Sequence, residues 1–208
     1  MKLPSPLSDM VEWLLVGPMG PNIPQFLANL PIMAIDGGAE YCTHMDAWVG
    51  DGDSCNKSIS CANVYKYSTN KNLSDFALGL SLFESHPSKI HLWGLLGGRT
   101  DHEIINYGEA LHYLDAAPNT ELIFYNQLGK VHARCLGKGT RNIQVNQTFS
   151  LVSTRTIQIK LTGECLFQLV KETELPPFSS LGLSNSGQGV VSIKNDGPVM
   201  IFFPDSHK

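Results

Sequence analysis

Charge is scarce in this chain, and neither sign dominates it. Its 208 residues carry 15 Lys+Arg against 19 Asp+Glu, 16% charged in all, for a formal net charge of -4. General affinity for a nucleic-acid backbone needs a basic face, so nucleic acid is excluded as a partner on this balance. Long apolar runs are missing as well. The early run over residues 11–16 is too short for the core of a signal peptide and far short of the ~20 residues of a membrane span, which leads us to expect a cytoplasmic protein with no membrane partner. The five cysteines, Cys42, Cys55, Cys61, Cys135 and Cys165, are odd in number and form no CxxC pair. Neither a disulfide framework nor a zinc site is favoured, and reduced thiols are expected. No internal repeat, low-complexity tract or long linker interrupts the chain.

What is present is enough apolar material for a sizeable core, 42% hydrophobic residues in a length that suits one domain or two small ones. Up to about residue 125, short apolar runs at 13–16, 33–36, 47–49, 64–67, 90–93 and 121–125 alternate with segments of helical spacing at 23–30, 39–45, 74–84 and 101–114. That alternation predicts a mostly parallel sheet with flanking helices, and Ser74 is placed to cap the third helix. After Asn126 the rhythm becomes strands and turns, at 131–136, 142–145, 149–152, 156–161, 190–193 and 199–203. The expected fold class is therefore an α/β N-terminal domain over residues 1–127 followed by an all-β sandwich over residues 128–208, joined near 127–130.

The densest chemistry is Gly50-Asp51-Gly52-Asp53-Ser54, where an apolar run gives out. In an extended or looped backbone Asp51 and Asp53 point the same way and can converge on a hard cation such as Mg²⁺. Asp-Gly pairs are also common turn signals, so the segment alone decides little. An EF-hand fits badly, since Cys55 and Asn56 stand where another oxygen ligand and a glycine belong. Three further clusters fall where strands should end: Asp36-Gly37-Gly38-Ala39, Lys71-Asn72-Leu73-Ser74-Asp75, and Gly97-Gly98-Arg99-Thr100-Asp101-His102. Singly, Asp36 and Asp75 read equally well as helix-terminal acids. His102-Glu103 is no HExxH zinc motif, because the fifth position is Asn106, and Gly137-Lys138-Gly139-Thr140 lacks the spacing of a P-loop.

Taken in order, DGGA, GDGDS, the segment ending in Asp75, GGRTDH and a late Leu183-Ser184-Asn185 resemble the thiamine pyrophosphokinase family over nearly the whole chain. The resemblance implies transfer of diphosphate from ATP to the hydroxyl of thiamine, with Mg²⁺ as cofactor and a homodimer whose sites lie between subunits. It implies catalytic roles for Asp36, Asp51, Asp53, Asp75, Arg99 and Asp101, with Asp51, Asp53 and Asp75 holding the metal. Gly98, Arg99, Asp101, His102 and Asn106 match the nucleotide loop, and Ser180, Ser184 and Asn185 the thiamine pocket. The proton of the attacking hydroxyl would go to Asp36 or Asp101. Two positions depart from the family: Asn72 replaces the first acid of its KDxTD motif, and Ser186-Gly187-Gln188 lacks an aromatic to stack on the thiamine ring. Two alternatives remain on the same fold, a diphosphokinase for a related hydroxymethyl heterocycle such as a pterin, and a non-catalytic thiamine or nucleotide sensor.

Overall fold

The apolar runs of the first 125 residues form six short strands, β1 (Glu12–Val16), β2 (Ile32–Ile35), β3 (Ala47–Gly50), β4 (Asn63–Lys66), β5 (Lys89–Trp93) and β6 (Glu121–Tyr125). They lie in the order β6-β5-β1-β2-β3-β4, every neighbouring pair parallel. Both faces of β2 and β3 are buried, so their sequences are continuously apolar rather than alternating. The computed structural model describes residues 1–55 and 58–204.

Two α-helices are present among the described residues, α1 (Asp75–Leu80) and α2 (Thr100–Ala116). Both contribute to a core on one face of the parallel strands, where Phe76, Leu111 and Leu114 join Trp13, Leu15, Met33 and Ile35. Ser74 caps α1, its Oγ accepting from Ala77 N at 3.0 Å. The opposite face, with Leu14, Val16, Ala34, Trp48 and Trp93, is packed with Leu27, Ala39 and Cys42 from the β1–β2 and β2–β3 connections, and those connections contain no α-helix.

The expected α/β domain with flanking helices is thereby overturned. The segment at 23–30 forms turns instead, with Leu27 N bonded to Pro24 O at 2.9 Å and Leu30 N to Leu27 O at 3.2 Å, three residues back rather than four. Pro24 removes a donor there, and Pro31 pushes residue 30 out of helical geometry. The 39–45 helix is replaced by a 3₁₀ segment, Asp36–Tyr41, which runs through Gly37-Gly38 and is capped by Cys42. The helix expected to reach 84 stops at Leu80, whereas α2 spans all of the predicted 101–114.

Nor do the later strands form a sheet arrangement of their own, apart from the parallel strands. β6 turns back through Asn126, whose Oδ1 accepts from Leu128 N and Lys130 N at 3.0 Å each, and pairs antiparallel with β7 (Val131–Leu136). The remaining strands are β8 (Gly139–Val145), β9 (Thr148–Val152), β10 (Ile157–Cys165), β11 (Leu169–Leu175), β12 (Asn185–Asn195) and β13 (Val199–Phe202). All join one mixed sheet of 13 strands, the parallel strands being its far half. β12 serves three ladders, Asn185 and Ser186 pairing with β9 and later residues with β10 and β8. Its inward residues, including Val191 and Ile193, share a second core with Phe149, Leu151, Ile159 and Ile201. Truncating one such aliphatic residue to alanine typically costs ~2–5 kcal/mol. β11 went unpredicted because it is an exposed edge strand whose Lys171, Glu172 and Glu174 hide the alternation. No helix among the described residues is long and apolar enough to cross a membrane.

Candidate active site

The chain runs from β1 outward through β2, β3 and β4, then returns to place β5 on the other side of β1. At such a reversal the loops after the two central strands diverge and leave a crevice at their carboxyl ends. Here the diverging loops are held backbone to backbone. Gly17 N donates to Trp93 O at 2.7 Å and Met19 N to Gly94 O at 2.9 Å. Gly94 has φ +72°, and a Cβ on it would fall 2.3 Å from Gly20 N, so a side chain is excluded twice over. The crevice opens into a cleft of about 950 Å³ whose lining includes Pro18, Met19, Gly94 and Leu95 from these loops.

Three carboxylates enter that cleft from three connections. Asp36 follows β2 directly, is 8% exposed, and has φ +44°, a conformation rare outside glycine and tolerated by Asp. Its neighbours fix it there: Gly52 N donates to its Oδ1 at 3.1 Å and Trp48 Nε1 to its carbonyl at 3.0 Å. Gly50 is required by this approach, since a Cβ there would lie 2.8 Å from Asp36 Oδ1. Asp51 follows β3, its Oδ1 accepting from Asp53 N at 3.1 Å. Asp75 opens α1. One oxygen from each of Asp36, Asp51 and Asp75 lies within 4.8 Å of the others.

Like charges about 4 Å apart repel by ~4 kcal/mol at an effective dielectric of ~20, so such a cluster calls for a cation. Lys71 supplies one. Its Nζ is 2.6 Å from Asp51 Oδ2 and 3.0 Å from Asp75 Oδ1. The Lys71 contact and the Asp53 amide hold the Asp51 carboxyl below its usual value. Asp75 goes the other way: burial raises it, Lys71 only partly opposes this, and the Asp51 and Asp36 charges add to the rise. Burial works against the Lys71 charge, yet its two carboxylate partners raise it overall. Asp75 Oδ1 is buried, with the Lys71 ammonium 3.0 Å away as its partner. Hard oxygen donors gathered this way suit a divalent ion such as Mg²⁺.

Of the residues singled out in the sequence, Asp53, Gly98, Arg99, His102 and Asn106 also line the cleft. Asp53 stands apart from the cluster of three, exposed, with Oδ1 accepting from Ser54 Oγ at 2.9 Å. Arg99 is turned onto Asp101 in a two-pronged contact, Nε to Oδ1 at 3.1 Å and an NH₂ group to Oδ2 at 2.5 Å. This pairing holds the exposed Asp101 carboxyl down to about 2. Asn106 Nδ2 donates to Leu95 O at 2.9 Å and so ties α2 to the β5 loop. Asn72 is exposed and is not part of the cleft lining.

Ser180, Ser184 and Asn185 lie elsewhere in the chain and do not line this cleft. Asn185 borders a pocket of about 90 Å³ with Phe167, Leu181 and Leu183. Its amide is committed to the backbone, donating to Phe167 O at 2.6 Å and accepting from Phe167 N at 3.0 Å and Ser186 N at 2.8 Å. Ser184 N donates to Ser150 Oγ at 3.0 Å. Sequence reasoning gave no role to Lys71 or Glu103, both in the cleft lining. The signal for Lys71 was its position four residues before Asp75, a spacing that lets opposite charges meet. Glu103 accepts from Gly97 N at 2.5 Å and braces the glycine loop.

The fold of this chain is also seen in solved structures of thiamine pyrophosphokinases. The enzyme of that name from Bacillus subtilis superposes with a TM-score of 0.71 at 19% identity, covering 93% of this chain and 99% of that one. The Candida albicans thiamin pyrophosphokinase gives 0.64 at 16% identity, over 91% of this chain and 88% of its own. The yeast thiamin pyrophosphokinase gives 0.64 at 14%, over 93% and 86%. At these identities the likeness establishes the fold. No family model matches the chain, and no curated protein matches it.

Proposed function

We propose that the protein is a thiamine pyrophosphokinase, transferring diphosphate from ATP to the hydroxyl of thiamine with Mg²⁺ and releasing AMP. The observation that carries this reading is the convergence of Asp36, Asp51 and Asp75, from separate connections, within 4.8 Å in a cleft large enough for a nucleotide. The order of motifs and the shared fold support it.

In this reading the hydroxyl oxygen of thiamine bonds to the β-phosphorus while the bond from that phosphorus to the α–β bridging oxygen breaks, and AMP leaves. Such transfers depend on positioning and on neutralising charge rather than on a protein nucleophile. Asp36, Asp51 and Asp75 would hold Mg²⁺, with Asp53 at the same rim. The ion supplies Lewis-acid charge neutralisation on phosphate oxygens. Arg99 offers a forked donor to phosphate once it exchanges Asp101 for the ligand, an exchange that exposure makes easy. Gly98, His102 and Asn106 frame the nucleotide. Asp101 lies outside the cleft lining while Asp36 is part of it, so Asp36 is the carboxylate placed to take the hydroxyl proton.

Because Ser180, Ser184 and Asn185 do not reach this cleft, their part in a thiamine pocket requires a second subunit, and the enzyme is proposed as a homodimer. AMP release from ATP should require both thiamine and Mg²⁺ and stop with EDTA. Release with a hydroxymethylpterin instead of thiamine would move the reading to the pterin enzyme. Binding of both ligands with no AMP formed would make the protein a sensor.

A further inference from the structure

The acidic cluster already contains a cation of the protein's own. Lys71 Nζ bridges Asp51 Oδ2 at 2.6 Å and Asp75 Oδ1 at 3.0 Å, and its side chain is only 16% exposed. We propose that Lys71 is an exchangeable counter-ion: it holds Asp51 and Asp75 together in the free protein, yields that position when Mg²⁺ enters, and turns its ammonium to the phosphates of the nucleotide. The inference rests on the metal reading above but makes a separate claim about this side chain.

Space argues for the exchange. Mg²⁺ needs its oxygens at about 2.0–2.1 Å in near-octahedral array, and an ammonium at 2.6 Å from one of those oxygens occupies the approach. Charge argues the same way. An ammonium and a divalent cation sharing the same carboxylate oxygens repel strongly at contact distance in a half-buried site, and moving Lys71 a few ångströms along the cleft relieves that repulsion while keeping its charge near the carboxylates. Reach permits it: Lys71 comes from the loop before α1, lines the same cleft as Arg99, and carries its charge on a flexible four-carbon stem with three donors. Asn72, beside it, is neutral and exposed, so the segment offers the cleft Lys71 and Asp75 as its charged pair.

The consequence is a pair of effects of opposite sign. In the full-length Lys71→Met protein, calorimetry should show Mg²⁺ or Mn²⁺ binding tighter by about tenfold or more without nucleotide, because a competing charge is gone. At saturating metal, a non-hydrolysable ATP analogue should bind about tenfold more weakly, because a phosphate partner is gone. If both affinities fall, Lys71 is a strut that merely shapes the site, and if neither changes it is a bystander; either outcome overturns the proposal. Wild-type protein that binds no divalent ion at millimolar concentration instead overturns the metal reading itself. Should the variant fail to fold, ¹³C-dimethylated lysines of the wild-type protein give the answer by NMR. The Lys71 resonance should shift on adding Mg²⁺ and again on adding the analogue, and an unmoved resonance would sink the exchange.

Discussion

The acidic cleft and the corner around Asn185 handle buried polar groups in opposite ways. In the cleft, Asp36 sits at φ +44°, Asp75 is raised by burial, and one ammonium, that of Lys71, is shared between Asp51 and Asp75. At the corner, the Asn185 amide is saturated by three backbone partners while Phe167 and Leu183 beside it stay more than half exposed. Strain and crowded like charges are costs that a fold retains where a ligand relieves them. A saturated amide under exposed apolar groups is a structural clamp presenting a surface. The first region carries strain and crowded charge, whereas the second holds a loop in place.

The sharpest way to break this contrast is Asp75→Asn. Activity should drop about a thousandfold or more, since under the proposed function the variant loses one of the carboxylates that would hold the charge-neutralising ion. Stability should not drop. The folded-state value of Asp75 is raised, so the charged form is the one the fold disfavours near neutrality, and that cost eases as pH falls through the folded value. A melting temperature equal to or above wild type, measured without metal, is the expected result. A variant that melts early with its activity per folded molecule intact would make Asp75 an ordinary helix-terminal acid.

Asn185→Ala should do the reverse. It strands Phe167 N and Phe167 O in a place where Asn185 is only 6% exposed, at a cost of about 2–4 kcal/mol. For a chain of this size that corresponds to roughly 5–15 °C in Tm. If Tm instead holds while the KM for thiamine alone rises, the corner is a binding surface first and the contrast fails.

How legible these regions were in the sequence depends on the range of the interactions that make them. Strand ends and the acids after them are local: an apolar run giving out before Asp36 or Asp51 is visible within a few residues, and so is the Ser74 cap. The Asp51–Lys71 contact spans 20 residues and shows in no periodicity. The absent helices were readable in principle, since Pro24 and Pro31 bracket one and Gly37-Gly38 precede the other, but apolar spacing outweighed the breakers. The join near 127–130 was visible as a change from helical spacing to strands and turns. That it folds β7 back against β6, and so makes one mixed sheet of two expected units, depends on pairing of whole strands. Finally, Asn185 was assigned from a resemblance, and only the folded chain reveals that its amide is already spent on Phe167.

His91 offers the finest test of whether a satisfied buried polar group affects stability alone. It is 8% exposed on the sheet face that lacks α-helices, with Nδ1 2.8 Å from Tyr125 Oη and Nε2 3.4 Å from Glu12 Oε2. Burial lowers its pKa, the Glu12 contact opposes this in part, and the nearby Lys89 and Arg134 charges lower it further. A histidine depressed in the folded state is neutral in both states well above its ordinary value of 6.5. Below that value the unfolded chain takes up a proton that the folded one resists, so stability falls as pH falls through this window. Melting curves from about pH 8 to about pH 5 should therefore decline starting near 6.5, more steeply in wild type than in His91→Gln, which has no group to protonate. The same variant should keep its activity per folded molecule, because His91 does not line the cleft. Identical pH profiles for the two proteins would show that Glu12 compensates the burial of His91 in full, and a loss of turnover would show that the helix-free face communicates with the acidic site.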